Sequence, residues 1–467
     1  MIKFDVYFCC IKQKIKDNQN LIQEEIIMKD KSIFKSKWGF ILTSVGSAVG
    51  MANVWGFPYK LTANGGGAFL IVYLVFIVIF SYLGLSAEYA IGRRAKTGTL
   101  GAYQYAWKTR GMEKVGKVIG YLPLAGSLCI AIGYAVIISY VMKSLFQAVT
   151  GSLMTVDTDT WFNSFALNGF SVVPFHIAVI CITLLTCITG ATSIEKANKV
   201  MMPMFFVIFL ILAIRVALLQ GALDGYKFLF NPDWSHLKDP SVIVGAMGQA
   251  FFSLSITGSG MIVCGAYLNK KENIVYGAKQ TGLFDTIAAI VAALVIVPAV
   301  FAFSGEQAGG PGLLFVTLPK ILQEMHGGRV FAIFLFLAVL FGGITSLQNM
   351  FEVVCESVLH KVNFLNRKVV LLLIGIVTFV PGVFMEDITS WGPWMDLVSI
   401  YIIPIGATLG AISWFWIMDK NKLMDEINTF EGSGSKYTLV WHSLGRFLYT
   451  PLAIVICVVA LAFKVAF

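Results

Sequence analysis

Small and polar residues interrupt the first long apolar run, at Gly46-Ser-Ala-Val-Gly-Met-Ala-Asn-Val-Trp-Gly-Phe-Pro58. Its centre holds a lone Asn53, with Pro58 a turn and a half beyond. An unpaired amide or carbonyl in hydrocarbon costs several kcal/mol, so a spanning helix normally pairs its backbone with itself. A breakable helix at mid-membrane depth is tolerated where it lines a cavity or a binding site. There, free carbonyls and helix C-terminal ends suit a cation, and free amides at a helix N-terminus suit an anion. A second run is punctuated the same way five spans later, at Ser255-Ile-Thr-Gly-Ser-Gly260. Gly46-x-x-x-Gly50 alone also fits plain helix packing. Two matched breaks, each with polar residues, point instead to a binding site between inverted repeats.

The elements that position these breaks are membrane spans. The chain has 467 residues, of which 13% are charged, and a mean hydropathy of +0.78. Apolar runs of roughly 20 residues, enough to cross a bilayer, recur near 39–62, 68–91, 117–149, 172–191, 200–220, 241–268, 275–304, 329–359, 369–385, 394–418 and 443–466, about eleven in all. No linker or low-complexity segment separates them. This implies a single domain over 38–467, with repeat one near 38–220, repeat two near 241–419 and a peripheral last span at 443–466. Residues 1–37 form a charged tail without a signal-peptide layout. Met28-Lys-Asp-Lys begins a more plausible cytoplasmic tail, so 1–27 reads as an upstream extension.

The net charge of +9 does not suggest a nucleic-acid partner, because the basic residues sit in alternate loops. Arg93, Arg94, Lys96, Lys108, Arg110, Lys114 and Lys117 lie between spans 2 and 3; Lys270, Lys271 and Lys279 follow span 6; Lys361, Arg367 and Lys368 follow span 8. The loop 150–171 has no Lys or Arg. Positive loops stay cytoplasmic, which puts the N-terminus inside and the C-terminus outside. The eight cysteines (Cys9, Cys10, Cys129, Cys181, Cys187, Cys264, Cys355, Cys457) show no metal-type spacing and read as small apolar fillers. His176, His236, His326, His360 and His442 are scattered, which disfavours an enzyme. No Gly-rich phosphate loop is present to drive a pump, and no span carries the polar stripe of a channel.

The run from Trp38 through Gly98 resembles the first two spans of the neurotransmitter:sodium symporter family, bacterial branch. The residues that carry the likeness are Gly46-Ser-Ala-Val-Gly-Met-Ala-Asn53, Phe57-Pro58, Asn64-Gly-Gly-Gly-Ala-Phe69 and Glu88-Tyr-Ala-Ile-Gly-Arg93. Gly248-Gln-Ala-Phe-Phe-Ser-Leu-Ser255 and Gly342-Gly-Ile-Thr-Ser346 extend it, so that it covers about 31–466 in order. The resemblance implies an all-α polytopic membrane protein with the leucine-transporter fold. That fold is a 5+5 inverted repeat with discontinuous helices 1 and 6, here with one peripheral helix. It implies sodium-coupled import of an amino acid by alternating access across the bacterial inner membrane, as a monomer or weak oligomer. An amino-acid-binding sensor on the same fold is the alternative.

By the same resemblance, the first sodium site uses Ala48, Asn53, Ser253 and Asp285, completed by the substrate's carboxylate. The second uses Gly46, Val49, Gly342, Thr345 and Ser346. Without that context, Thr345 and Ser346 would be read as bonding back to their own helix. The substrate's carboxylate meets the amides of Gly50, Met51 and Ala52 and the hydroxyl of Tyr134; its ammonium meets carbonyls of Ala48, Phe252, Ser253 and Thr257. Selectivity falls to Ile130, Phe252, Ser255, Gly258, Ser346 and Met350, which are small or apolar, so a neutral amino acid is favoured. Gly258 stands where relatives carry bulk and leaves room for a larger apolar or aromatic side chain, though Met350 or Met261 could refill it. Glu88 supports the break in span 6. Chloride-dependent members carry Asn where this chain has Asp285, so no chloride requirement is expected.

The gates depart from the family pattern. Gly56 replaces the usual outer-gate Arg, leaving Lys60 as the candidate partner of Asp396, beside Gln249 and Phe252, which close over the substrate in relatives. The inner-gate positions are Lys31 and His360, which would not form a salt bridge, with Glu356 a possible substitute one turn earlier.

Overall fold

Ser36 starts the first helix: its hydroxyl accepts the Gly39 N–H at 3.0 Å, as an N-cap residue does. The same hydroxyl donates to Glu195 Oε1 at 3.0 Å, and the Lys35 N–H donates to Glu195 Oε2 at 2.7 Å. Gly39 is small because a Cβ there would lie 2.0 Å from that carboxylate. The computed structural model describes residues 33–303, 311–362, 364–431, 434 and 436–465. The tail boundaries at 1–27 and 1–37 and the inner-gate Lys31 therefore fall wholly or largely outside the described residues. Phe34–Phe467 is one compact unit, and its described residues contain helices and no strands.

Helix α1 (Lys37–Ala48) ends where Val49 turns extended, at φ −70° and ψ 114°. The chain resumes through a wide turn at Ala52–Gly56 and runs on as α2 (Phe57–Ala63), bent by 60° from α1. α3 (Gly67–Phe80) and α4 (Ser86–Ala95) make one span with a wide turn at Ser81–Leu85 between them. α5 (Tyr121–Thr150), α6 (Val173–Cys187) and α7 (Ala191–Ala217) complete the first half. The second half opens with another broken span, α8 (Pro240–Ser253) and α9 (Ile262–Ala266). Then come α10 (Ile274–Phe303), α11 (Gly328–Lys361), α12 (Arg367–Val383), and α13 (Ile388–Asp396) continuing through a wide turn into α14 (Ile403–Ile412). α15 (Leu439–Leu444) and α16 (Thr450–Phe463) form a last span on the outside of the bundle, where Thr408 donates to Ala453 O at 3.0 Å.

Among the described residues seven helices are long and apolar enough to cross a membrane, and the bent α1–α2 pair makes an eighth. The other expected spans, near 172–191, 241–268 and 369–385, form a helix of 15 residues, a broken pair of 14 and 5, and a helix of 17.

The α8–α9 break stays folded because α4 lies against it. Glu88 Oε1 accepts the Gly258 N–H at 2.8 Å, and Oε2 accepts the Met261 N–H at 3.1 Å. Close approach needs glycine on both sides. A Cβ on Gly92 would lie 2.0 Å from Ile262 O, and one on Gly265 would lie 2.3 Å from Tyr89 O. On the other flank, Arg367 donates to Glu352 and, at 3.4 Å, to Glu356, while Tyr267 also donates to Glu352. Those buried carboxylates are held by a cation from the start of α12.

Gly92→Ala should overpack the α4–α9 contact and destabilise the protein by about 1–3 kcal/mol. A melting curve of the detergent-purified variant checks it; an unchanged midpoint would mean the two backbones are not held this close.

Candidate binding site between the two broken helices

Two freed amides of the first break find side chains. Gly50 N–H donates to Asn53 Oδ1 at 3.0 Å, and Met51 N–H donates to the Tyr134 hydroxyl of α5 at 2.9 Å. Gly50 leaves room for this contact: a Cβ there would fall 2.3 Å from the Tyr134 hydroxyl and 2.8 Å from Ser346 Oγ, so those side chains would have to shift. The freed carbonyls are met from α11 and from the second break. Ser346 Oγ donates to Val49 O at 3.0 Å and Gly46 O at 3.3 Å. Ser255 Oγ donates to Ser47 O at 3.1 Å, and Gln249 Nε2 to Ala52 O at 3.2 Å.

Behind the first break, Asn53 reaches across to α8 and α10. Its amide nitrogen lies among three oxygens: Asp285 Oδ1 at 2.8 Å, Asp285 O at 3.2 Å and Ser253 Oγ at 3.2 Å. Ser253 Oγ donates in turn to Asp285 Oδ2 at 2.7 Å, and Tyr73 donates to Ser253 at 3.4 Å. Asn53, Ser253 and Asp285 are all fully buried. An oxygen-rich, fully enclosed set of this kind suits a hard cation. Turning the Asn53 amide over would present its own oxygen to the same place, at the loss of the bond from the Gly50 N–H.

A second group gathers between α1 and α11, where Gly342 comes close enough that a Cβ would lie 3.6 Å from Val49 O. Thr345 and Ser346 behave differently there. Thr345 bonds back to its own helix, donating to Phe341 O and Gly342 O at 3.0 and 3.1 Å, whereas Ser346 bonds across to α1. The group also holds an acceptor that no donor meets among the described residues, Asn198 Oδ1 of α7. A buried acceptor left so costs about 1–3 kcal/mol, which a bound cation would remove.

Between the breaks lies a cavity. Ala48, Gly50, Met51, Ala52, Ile130, Tyr134, Phe252, Ser255, Thr257, Ser346 and Met350 line it. Ser253 does not; it stands behind, with Asn53 and Asp285. Gly258 does not either, which corrects the expectation that it opens room for a larger side chain. Its φ of +74° belongs to glycine, and a Cβ would point at Gly406 O, 2.3 Å away, and at the Tyr103 hydroxyl, 2.7 Å away. Ser47, Ser127, Gly260, Asn349 and Ile403 complete the lining and were missed. Helical spacing could have found two of them: Ser127 lies three residues before Ile130, and Asn349 three after Ser346.

The gate residues are not brought together as pairs. Among the described residues no ion pair joins Lys60 to Asp396, and Asp396 is exposed. The inner face of α13 is occupied by Trp391 and Trp394, whose indoles donate to Gly133 O and Cys129 O of α5 at 2.8 and 2.9 Å. Glu356 takes Arg367 as a partner, and His360 stands against Gly101, where a Cβ would lie 2.9 Å from its Nε2.

These features define a multi-pass helical membrane protein of the broken-helix transporter class, with a cavity at the breaks and oxygen clusters beside it. The model of the sodium:neurotransmitter symporter family matches residues 31–167 and 162–466. The uncharacterized sodium-dependent transporter YhdH of Bacillus subtilis is 31% identical over 90% of this chain and 95% of its own length. A sodium-dependent transporter of Methanocaldococcus jannaschii is 28% identical over 85% of this chain and 84% of its own. The crystal structure of MhsT in complex with L-phenylalanine superposes with a TM-score of 0.81 at 29% identity, covering 92% of this chain and all of MhsT. The chain belongs to the sodium:neurotransmitter symporter family. It has the fold that the sequence implies, the leucine-transporter inverted repeat with discontinuous helices 1 and 6. The family is one of sodium-coupled transporters.

Tyr134→Phe keeps the ring but leaves the Met51 amide without its acceptor, and should cost about 1–3 kcal/mol of stability. Chemical denaturation followed by circular dichroism measures it; a variant as stable as the parent would show that another group takes over that amide.

Proposed function

We propose that this protein imports a neutral amino acid, coupled to two sodium ions and without a chloride requirement. The observation that carries the reading is the adjacency of two chemistries at one break. Tyr134, Gly50, Met51 and Ala52 line a largely apolar cavity, and the Asn53–Ser253–Asp285 oxygens lie behind it. A substrate carboxylate on that amide side would complete the first sodium site with Ala48, Asn53, Ser253 and Asp285, so that ion and substrate bind together. Gly46, Val49, Gly342, Thr345 and Ser346 would hold the second ion. The ammonium would face the carbonyls of Ala48, Phe252, Ser253 and Thr257.

Ile130, Phe252, Met350 and Ile403 give the cavity its apolar walls and favour an uncharged side chain. MhsT, bound to L-phenylalanine, is a relative with such a ligand. Domain limits of 38–220 and 241–419 for the repeats, and 443–466 for the outer span, complete the reading. So does an inner-membrane orientation with the N-terminus in the cytoplasm, which follows from the basic loops. The fixed charge of Asp285 beside the first ion would do what chloride does elsewhere in the family.

Uptake of radiolabelled amino acids into proteoliposomes tests this. Replacing external sodium with potassium should abolish uptake, and replacing chloride with gluconate should leave it intact. Asp285→Asn should weaken sodium dependence by about tenfold or more, corresponding to ~1.4 kcal/mol or above. A large loss of wild-type uptake in gluconate would refute chloride independence.

A further inference from the structure

We propose that Asn198 contributes an oxygen to the second sodium site, an inference that rests on the sodium reading of Gly46, Val49, Gly342, Thr345 and Ser346 above. Asn198 lies on α7 and is 1% exposed. Its amide nitrogen donates to Ile194 O at 2.9 Å and to Gln348 Oε1 at 2.6 Å. A backbone carbonyl can only accept, so the side of the amide facing Ile194 must be the nitrogen. That orients Oδ1 the other way, toward α1, where no donor among the described residues meets it.

Gly46 marks where that oxygen lies. A Cβ built on Gly46 would be 2.0 Å from Asn198 Oδ1 and 3.0 Å from Thr345 Cβ. The unpaired oxygen therefore converges with α11 on the stretch of α1 whose Gly46 and Val49 carbonyls face Ser346. The other oxygens of this group already have protons: Thr345 donates within its helix and Ser346 donates to α1. Asn198 Oδ1 alone among these oxygens has none. A sodium ion would pair it and the carbonyls at once, because sodium needs several oxygens and offers no directional demand. Plain packing does not account for it, since an apolar side chain would fill the same place without burying an acceptor. A buried water could also meet the oxygen, and sodium dependence separates the two.

The test is the sodium concentration at half-maximal thermal stabilisation of the full-length protein in detergent. Potassium chloride keeps ionic strength and chloride constant. In N198A, which removes the oxygen, this midpoint should rise about fivefold or more. N198S, whose hydroxyl falls short of the place, should do the same and serves if N198A does not fold. N198D keeps an oxygen there and should hold the midpoint at or below wild type. Q348M removes a partner of the amide nitrogen but leaves the oxygen, and should leave the midpoint unchanged. Wild-type midpoints in N198A and N198S would overturn the assignment. An equal rise in Q348M would also overturn it, because the amide would then matter only for packing. A wild-type protein with no sodium-specific stabilisation would refute the sodium reading itself, and this inference with it.

Discussion

A backbone group freed inside the membrane must find a new partner, and the two breaks at Val49–Met51 and Leu254–Met261 free several of them. The rest of the structure is arranged to meet that demand. Asn53 and Tyr134 take amides of the first break; Ser346, Ser255 and Gln249 give protons to its carbonyls. Glu88 takes two amides of the second, and Asn349 donates to Gly260 O at 2.8 Å. These partners come from α4, α5, α8, α11 and the breaks themselves. The breaks therefore tie the scaffold helices to each other at the level where a ligand would sit. A cavity results because side chains that satisfy backbone at this depth cannot also fill space.

Close approach follows from the same demand. A side chain that reaches a backbone amide must bring its helix within a hydrogen bond of another main chain, and a Cβ would prevent that. Gly50 under Tyr134, Gly92 against Ile262 and Gly265 against Tyr89 all stand at such points. Ser255 is the exception that shows what the geometry requires. It holds a φ of +52°, which a side chain adopts only at some cost, and its hydroxyl bond to Ser47 O accompanies that conformation.

Both breaks were legible because a small or polar cluster inside an apolar run is a local signal, and so was Asn53. The family likeness extended this to Ser253 and Asp285, which the fold brings against Asn53 from helices 200 and 232 residues away. What stayed hidden was which way a polar residue in an apolar helix would turn. Thr345 and Ser346 are neighbours with similar chemistry, yet one bonds its own helix and the other reaches α1. Asn198 and Asn349 were hidden for the same reason. Gly258 misled in the opposite sense: a missing side chain was read as space, whereas its positive φ and the nearby Gly406 carbonyl leave no room. Spans with too few residues, or with a break, fall short of a length test even where their composition is apolar, as α6 and the α8–α9 pair do.

The outer rim shows how the fold holds itself where an ion pair is missing. Asp396 is exposed, and among the described residues no ion pair joins it to Lys60. α13 is held to α5 by uncharged donors instead, with Trp391 on Gly133 O and Trp394 on Cys129 O. Gly133 admits this contact: a Cβ there would strike Met395 Sδ at 2.4 Å. Trp394 and Met395 then pack with Ile130, Phe252, Met350, Val398 and Ile403 into a small apolar cluster over the cavity. A buried ion pair must repay the desolvation of two charges before it stabilises anything. An indole N–H on a helix carbonyl carries a much smaller penalty and buries a large ring besides. This side of the protein therefore holds together without an ion pair between α5 and α13, because the contact depends on shape and apolar area rather than on charge.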